Sequence, residues 1–267
     1  MNLFTVKSGD SPIVLGQPHG GTWMPDDLFD RLNIRGQGLD DTDWHIDRLH
    51  EGLLSGATVV QSHVHRYVID ANRDPEGVSL YPGQNTTTLC PTIDFNGDPI
   101  WQEGQEPSEE EIEERRRAYH APYHAALSAE LERVKAKHGV AILYDCHSIR
   151  SQIPFLFDGT LPVFCVGTNN GTTCAESIER AVTQICVDAA EFPSVLNGRF
   201  KGGWTTRHYG QPETGTHAIQ MEMAQSAYMD EVAPWTYRED RAQRVRPVIE
   251  KILKQLEDIA LNGALQS

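Results

Sequence analysis

The chain has 267 residues and a mass of 29.9 kDa, with 39% of residues hydrophobic, which suffices for one large core and is read as a single domain over 1–267. Lys and Arg total 23 against 38 Asp and Glu, and the resulting formal charge of -15 repels a phosphate backbone, so nucleic acid is excluded as a partner. The five cysteines (Cys90, Cys146, Cys165, Cys174, Cys186) are odd in number and show no CxxC spacing, so neither a disulfide framework nor a zinc ribbon is expected, and a reducing, cytoplasmic setting fits them. No signal peptide and no apolar run of membrane-spanning length is read in the sequence, so no membrane association is expected.

In chain order, 11–16 reads as a short buried strand that runs into the turn Gln17-Pro18-His19-Gly20-Gly21, placing His19 just past the strand's carboxyl end. A helix is expected over 43–54, where Ile46, Leu49, Leu53 and Leu54 share a 3.6-residue period behind an acidic first turn. Strands are expected at 57–61 and 64–70, the second leading into the polar loop Asn72-Arg73-Asp74-Pro75. The stretch 81–104 is rich in Pro, Gly, Thr and Asn without periodicity and reads as a long covering loop. Ser108 and Glu111 form a capping box that opens a long helix to Gly139, with Pro122 as a kink. Next, Val140-Ala141-Ile142-Leu143-Tyr144 is an apolar strand that delivers Asp145-Cys146-His147-Ser148, a strand over 216–223 carries Glu222, and an amphipathic helix over 245–259 closes the chain. Strands alternating with helices imply an α/β sheet covered on both faces, where ligands gather beyond the carboxyl ends of the strands.

Two imidazoles and a carboxylate around zinc, with one position left open, are the usual minimum for hydrolysing an unactivated amide. His19 and His147 both fall at strand ends and are the histidine candidates, although a single histidine there is more often an ordinary hydrogen-bonded residue. Of Asp41, Asp43 and Asp47, Asp43 is taken as the acidic ligand; the alternative is that these acids merely favour a helix N-terminus. Asp145 lies two residues from His147 on the same strand face, which suits it to orient an imidazole. Glu222, in an apolar strand, is costly to bury unless it acts as a base or joins a salt bridge.

Cations for a small anionic substrate are sought in Arg66, Arg73, Arg150 and the Gly-rich basic segment that holds Arg199, Lys201 and Arg207; each alone is more often a surface charge. No G-x-S-x-G elbow, phosphate loop, dinucleotide fingerprint or H-E-x-x-H helix is present. Cys146 and His147 are adjacent in a strand, point to opposite faces and make a poor nucleophile–base pair.

The blocks Gln17 to Gly21, Asp41-Thr42-Asp43-Trp44-His45, Arg66 to Asp70, Asn72-Arg73, Leu80-Tyr81-Pro82-Gly83-Gln84, Asp145 to Ile149, the run from Asn197 to Gly210, and Glu222 resemble, in order and spacing, the N-formylglutamate amidohydrolases of histidine degradation. The resemblance spans most of the chain. It implies a phosphorylase/hydrolase-like mixed sheet akin to zinc carboxypeptidases, a divalent metal at the strand ends, and hydrolysis of N-formyl-L-glutamate with Glu222 as general base. It also makes Asn72-Arg73 look like the carboxypeptidase pair that holds a substrate carboxylate. His19 is followed by Gly20-Gly21-Thr22, so the His-x-x-Glu pair of the carboxypeptidases is missing and the acidic ligand must come from elsewhere. An acylase or carboxypeptidase-like hydrolase for another acidic N-acyl amino acid, and a metal-containing binding protein without turnover, are the rival readings.

Overall fold

The computed structural model describes residues 2–80, 82–263 and 265. Its centre is a mixed sheet of seven strands, β1 (Phe4–Lys7), β2 (Ile13–Gln17), β3 (Thr58–Ser62), β4 (Ala141–Ile149), β5 (Phe164–Gly167), β6 (Ser194–Leu196) and β7 (Thr216–Ala224), in the order β1-β3-β2-β4-β7-β5-β6. The inner four, β3-β2-β4-β7, are parallel, while β1 pairs antiparallel with β3 and β5 antiparallel with β7. The chain leaves β2 to form β3 on one side and later β4 on the other, so the carboxyl ends of β2 and β4 flank a point where the strand order reverses.

Side-chain alternation decides which face each residue serves. Ile13, Leu15, Ile142, Tyr144, Ile219 and Met221 point to one face, where they pack against α2 (Ile46–His50), α5 (Glu176–Asp188) and α7 (Glu239–Leu261). Val14, Ala141, Leu143 and Ala218 point to the other and pack against Leu127, Leu131 and Val134 of α4 (Ala121–His138). On this second face the apolar residues give way toward the strand ends to Asp145 and His147 of β4 and Gln220 and Glu222 of β7. Parallel register sets Asp145 beside Gln220 and His147 beside Glu222.

The helix expected over 43–54 shrinks to Ile46–His50, so Asp43 precedes it and does not share a helical face with Asp47, which is exposed. The strand expected over 64–70 does not form. Val64 makes one bridge to Trp23, and the chain then turns through Val68 N–H to His65 O (3.0 Å) so that Tyr67 and Val68 fill a separate apolar cluster with Trp101. Turn hydrogen bonds and that cluster outcompete the sheet for a β-branched run. The long helix is divided into α3 (Glu109–Arg115), a π-helical turn (Arg116–His120) and α4, with both capping-box hydrogen bonds present at Ser108 and Glu111. The π turn sits just before Pro122, whose missing N–H cannot close the next α-helical bond. Tyr81, quoted in one sequence block, lies outside the described residues. Among the described residues no helix is long and apolar enough to cross a membrane.

Candidate active site

Six carboxylate or imidazole side chains, His19, Asp43, Asp70, Asp145, His147 and Glu222, converge where the polar ends of β4 and β7 meet the loop after β2. His19 Nδ1 lies 3.2 Å from His147 Nδ1 and 3.9 Å from Asp43 Oδ2, and His147 Nδ1 lies 3.3 Å from the same oxygen. All three residues are buried. Asp43 is held in place from three sides: its N–H donates to His19 O (3.1 Å), Ser148 N–H donates to its Oδ2 (3.0 Å), and Arg66 donates to its Oδ1.

These distances permit a test of whether a metal fits. Tetrahedral zinc with bonds of about 2.0–2.1 Å separates its ligand atoms by about 3.3 Å, and two of the three separations match that edge while the third is slightly longer. Two Nδ1 atoms facing each other and a carboxylate leave room for at most a shared proton, a cost that a cation would remove. The outer nitrogen of His19 is met as those of metal-binding imidazoles usually are, Nε2 lying 2.7 Å from Asp70 Oδ1; His147 Nε2 lies 3.1 Å from Asp145 Oδ1 as a charge neighbour and 3.0 Å from Asn72 Nδ2. His19, Asp43 and His147 could therefore hold a divalent metal.

The electrostatics of the cluster follow from burial and from Arg66. Burial pushes the Glu222 carboxyl up to about 8. Burial, with Arg66, pulls His19 down to about 4. Burial acts to neutralise His147, but Asp145, Asp43 and Glu222 outweigh it and hold the imidazole well above its usual range. For Asp43 and Asp70 burial acts upward and is overcome, at Asp43 chiefly by Arg66 and at Asp70 chiefly by Arg73 and His19.

A cleft enclosing at most about 570 Å³ opens onto the cluster, and Arg66, Arg73, Arg199, His19, His147 and Glu222 are among its walls. Of the arginines proposed from sequence, three reach it. Arg66 pairs with Asp43 and, at 3.6 Å, with Asp70, so it organises the site from the cleft wall. Arg73 donates to Thr87 O (3.0 Å), Thr87 Oγ1 (2.9 Å) and Asn72 O (3.1 Å), which fixes its guanidinium at the wall. Arg199 donates to Leu156 O (2.9 Å) and Asn85 O (2.7 Å).

Arg150, Arg207 and Lys201 do not line the cleft. Arg150 turns toward Asp41 Oδ1 (3.2 Å), and that carboxylate also accepts from Tyr67 OH and Phe95 N–H, which makes Asp41 a tie between loops and no ligand. Arg207 lies in the short helix α6 (Trp204–Tyr209), which occupies part of the segment read as a loop, and donates to Gly202 O (2.9 Å).

Sequence reasoning missed Gln220, Asp70 and Thr87 as site residues. Gln220 Nε2 donates to Glu222 Oε2 (3.1 Å) and its Oε1 accepts from Gly203 N–H (2.7 Å), tying the basic segment to the glutamate. Its signal was available: it lies two residues before Glu222, on the same strand face. Close approach also explains two glycines. A Cβ at Gly203 would sit 2.3 Å from Asn72 Nδ2, and one at Gly167 2.5 Å from Gly202 N, so any side chain there would push the segment off the cleft.

Polar side chains gathered at the carboxyl ends of parallel strands, at a reversal of strand order, define an α/β protein with one small-molecule site. The chain belongs to the N-formylglutamate amidohydrolase family, whose model matches residues 11–229. It is 44% identical over 255 residues to the N-formylglutamate deformylases of Pseudomonas aeruginosa and Pseudomonas putida, covering 95% of this chain and 96% and 95% of theirs. The fold matches the crystal structure of an N-formylglutamate amidohydrolase from Ralstonia eutropha (TM-score 0.80, 23% identity, 98% of this chain and 100% of that one). A gene product of Agrobacterium tumefaciens gives a TM-score of 0.74 at 17% identity, over 97% of this chain and 96% of that one.

Replacing Arg66 by Met strands the carboxylates of Asp43 and Asp70 inside the protein. The expected loss is about 3–5 kcal/mol of stability, measured by urea denaturation in the presence of a chelator; a loss below about 1 kcal/mol would mean that the two carboxylates are satisfied without it.

Proposed function

We propose that the chain hydrolyses N-formyl-L-glutamate to formate and L-glutamate, using a divalent metal, zinc first among them, at His19, Asp43 and His147. The observation that carries this reading is the convergence of two Nδ1 atoms and a carboxylate oxygen within 3.2–3.9 Å, beside a buried glutamate at the foot of an arginine-walled cleft. The 44% identity to two named deformylases over nearly the whole chain supplies the substrate. Likeness to the zinc carboxypeptidases, a single domain over 1–267, a place in histidine degradation and a cytoplasmic setting belong to the same proposal; all five cysteines are free and buried, which suits that setting.

When bound, the metal would polarise the formyl carbonyl and make water acidic enough to attack at neutral pH. The chain's own residues do the rest. Glu222, whose carboxyl burial alone pushes up to about 8, would be ionised with a divalent cation beside it and could then accept a proton from the attacking water and return it to the departing amine. Gln220 Nε2 occupies one side of that carboxylate and leaves the other facing the cleft. Asp70 fixes the ring of His19 through its outer nitrogen, and Asp145 lies as a charge neighbour 3.1 Å from that of His147. Arg73 and Arg199 are the guanidiniums on the wall that could pair with the two carboxylates of the substrate, with Arg66 beside them already paired with Asp43. Asp43 fills the place left empty by the missing His-x-x-Glu pair.

The deciding experiment is a steady-state panel of N-formyl and N-acetyl amino acids after metal reconstitution. N-formylglutamate is expected to exceed N-formylglutamine by about 10²-fold or more in kcat/KM, because an amide leaves one desolvated guanidinium unpaired. Equal values would favour a general N-formyl amino acid hydrolase, and no turnover of any member would favour a binding protein.

Glu222→Gln is expected to keep its metal and its melting temperature and to lower kcat by about 10²- to 10⁴-fold; near-normal turnover would remove Glu222 from proton transfer. His147→Ala is expected to lose metal and activity together, since two protein ligands rarely hold catalytic zinc. Elemental analysis of the folded variant checks this, and full occupancy would exclude His147 as a ligand.

A further inference from the structure

The turn from Asp70 to Arg73 puts Asn72 and Arg73 on the cleft wall, yet it belongs to no helix or strand. Asp70 orients His19, Asn72 Nδ2 lies 3.0 Å from His147 Nε2 while its Oδ1 accepts from Thr205 N–H (2.9 Å), and Arg73 stands on the cleft wall. Loops of this kind hold a working geometry only when rigid neighbours support them.

Two imidazoles from the helical layer supply that support. His124 Nε2 lies 2.7 Å from Ala71 O, and His120 Nε2 lies 3.1 Å from Arg73 O. A carbonyl oxygen only accepts, so both Nε2 atoms carry the proton and donate. The carbonyls lie two residues apart and bracket Asn72. The donors lie four residues apart, one turn of helix, where the π turn ends and α4 begins. The opposite nitrogen of His124 is 3.1 Å from Tyr209 OH, so the same ring joins the turn to α6. Both histidines are buried, and burial lowers both, His124 to about 3, which keeps its ring neutral with one fixed donor.

We propose that His124 and His120 are positioning residues: by donating to Ala71 O and Arg73 O they hold the turn that places Asn72 and Arg73 against the cleft. Neither ring lines the cleft, so neither touches substrate. This rests on the hydrolase reading above only for its assay.

Two substitutions separate hydrogen bonding from packing. His124→Phe keeps an aromatic ring against Trp204, at 4.8 Å from it in the native protein, but removes the donor; His124→Gln removes the ring but keeps an amide N–H at nearly the position of Nε2. Displacement of the guanidinium wall should appear mainly in KM. His124→Phe is expected to lower kcat/KM by about 10- to 100-fold, and His124→Gln to recover most of it. A glutamine variant as impaired as the phenylalanine variant, or a phenylalanine variant with native KM and kcat, would overturn the proposal. If His124→Phe does not fold, the same pair at His120 makes the same comparison through Arg73 O. Imidazole nitrogen spectra of histidine-labelled protein read the clamp independently of any substrate: His124 is expected with its proton on Nε2 at neutral pH. A proton on Nδ1 would sink the clamp and leave the substrate reading untouched, whereas a wild-type chain inactive on N-formylglutamate with the expected spectrum would do the reverse.

Discussion

Everything in the cleft depends on how Arg66 is shared between two buried aspartates. Its guanidinium pairs with Asp43 and lies 3.6 Å from Asp70, and all three side chains are buried. Asp43 faces the two histidines and Asp70 orients one of them, so a single cation fixes both the candidate ligand set and its outer support. Yet Arg66 does not balance the site. Asp43, Asp70, Asp145 and Glu222 are four buried carboxylates, and Arg66 with the partly exposed Arg73 are the two guanidiniums within reach of them. Two negative charges are left over when all four acids ionise. Unpaired ions in a low-dielectric interior are costly, and such a site takes up protons or a cation. The acids push His147 up and burial, with those acids behind it, pushes Glu222 up; a divalent cation would offset the same excess of negative charge while leaving Glu222 able to act as a base.

The geometry that collects these charges comes from the sheet. Alternation sends Leu143 and Ala218 under α4 and, two and four residues on, sends Asp145, His147, Gln220 and Glu222 to the same face, past the apolar cluster. One strand thus serves as core wall and then as site floor with no change in direction. Asn72 and Gln220 then link this floor to the segment ahead of and within α6 through Thr205 N–H and Gly203 N–H. The closeness of Asn72 is why residue 203 has no side chain, and a left-handed backbone (φ +109°) favours glycine at 202.

Much of this was legible in the sequence, and the boundary of legibility is physical. His19, Asp43, His147, Asp145 and Glu222 could be picked out because strand ends and two-residue periodicity are local properties, and the structure brings all five together. The arginines could not be sorted in this way. Arg66, Arg73, Arg150, Arg199 and Arg207 look alike in a sequence, and which of them faces the cleft is set by long-range partners such as Asp41 for Arg150 and Asp43 for Arg66. The strand expected over 64–70 failed for a related reason: β-branched and aromatic residues there satisfy a second apolar cluster as well as they would a sheet. β5, β6 and α6 left no strong periodic mark, being four, three and six residues long.

An acidic protein with a dianionic substrate raises an apparent conflict, since the formal charge is -15. The two effects act over different ranges. Surface charges are screened by salt over about 8–10 Å, so they weaken the approach of an anion more than they weaken its final contacts. Inside the cleft, Arg73 and Arg199 are held by carbonyl and hydroxyl oxygens at 2.7–3.0 Å, and those partners carry no negative charge to cancel the guanidiniums. Arg73 does lie 3.6 Å from Asp70, but that carboxylate is also engaged by His19 and Arg66. Arg73 and Arg199 therefore raise the potential locally at the wall, opposite a floor whose own excess of acid is met by protons or a cation, while the acids on the outer surface are solvated by water. An anion-binding cleft in so acidic a chain would rest on neutral anchors such as these, which fix a cation through carbonyl and hydroxyl oxygens.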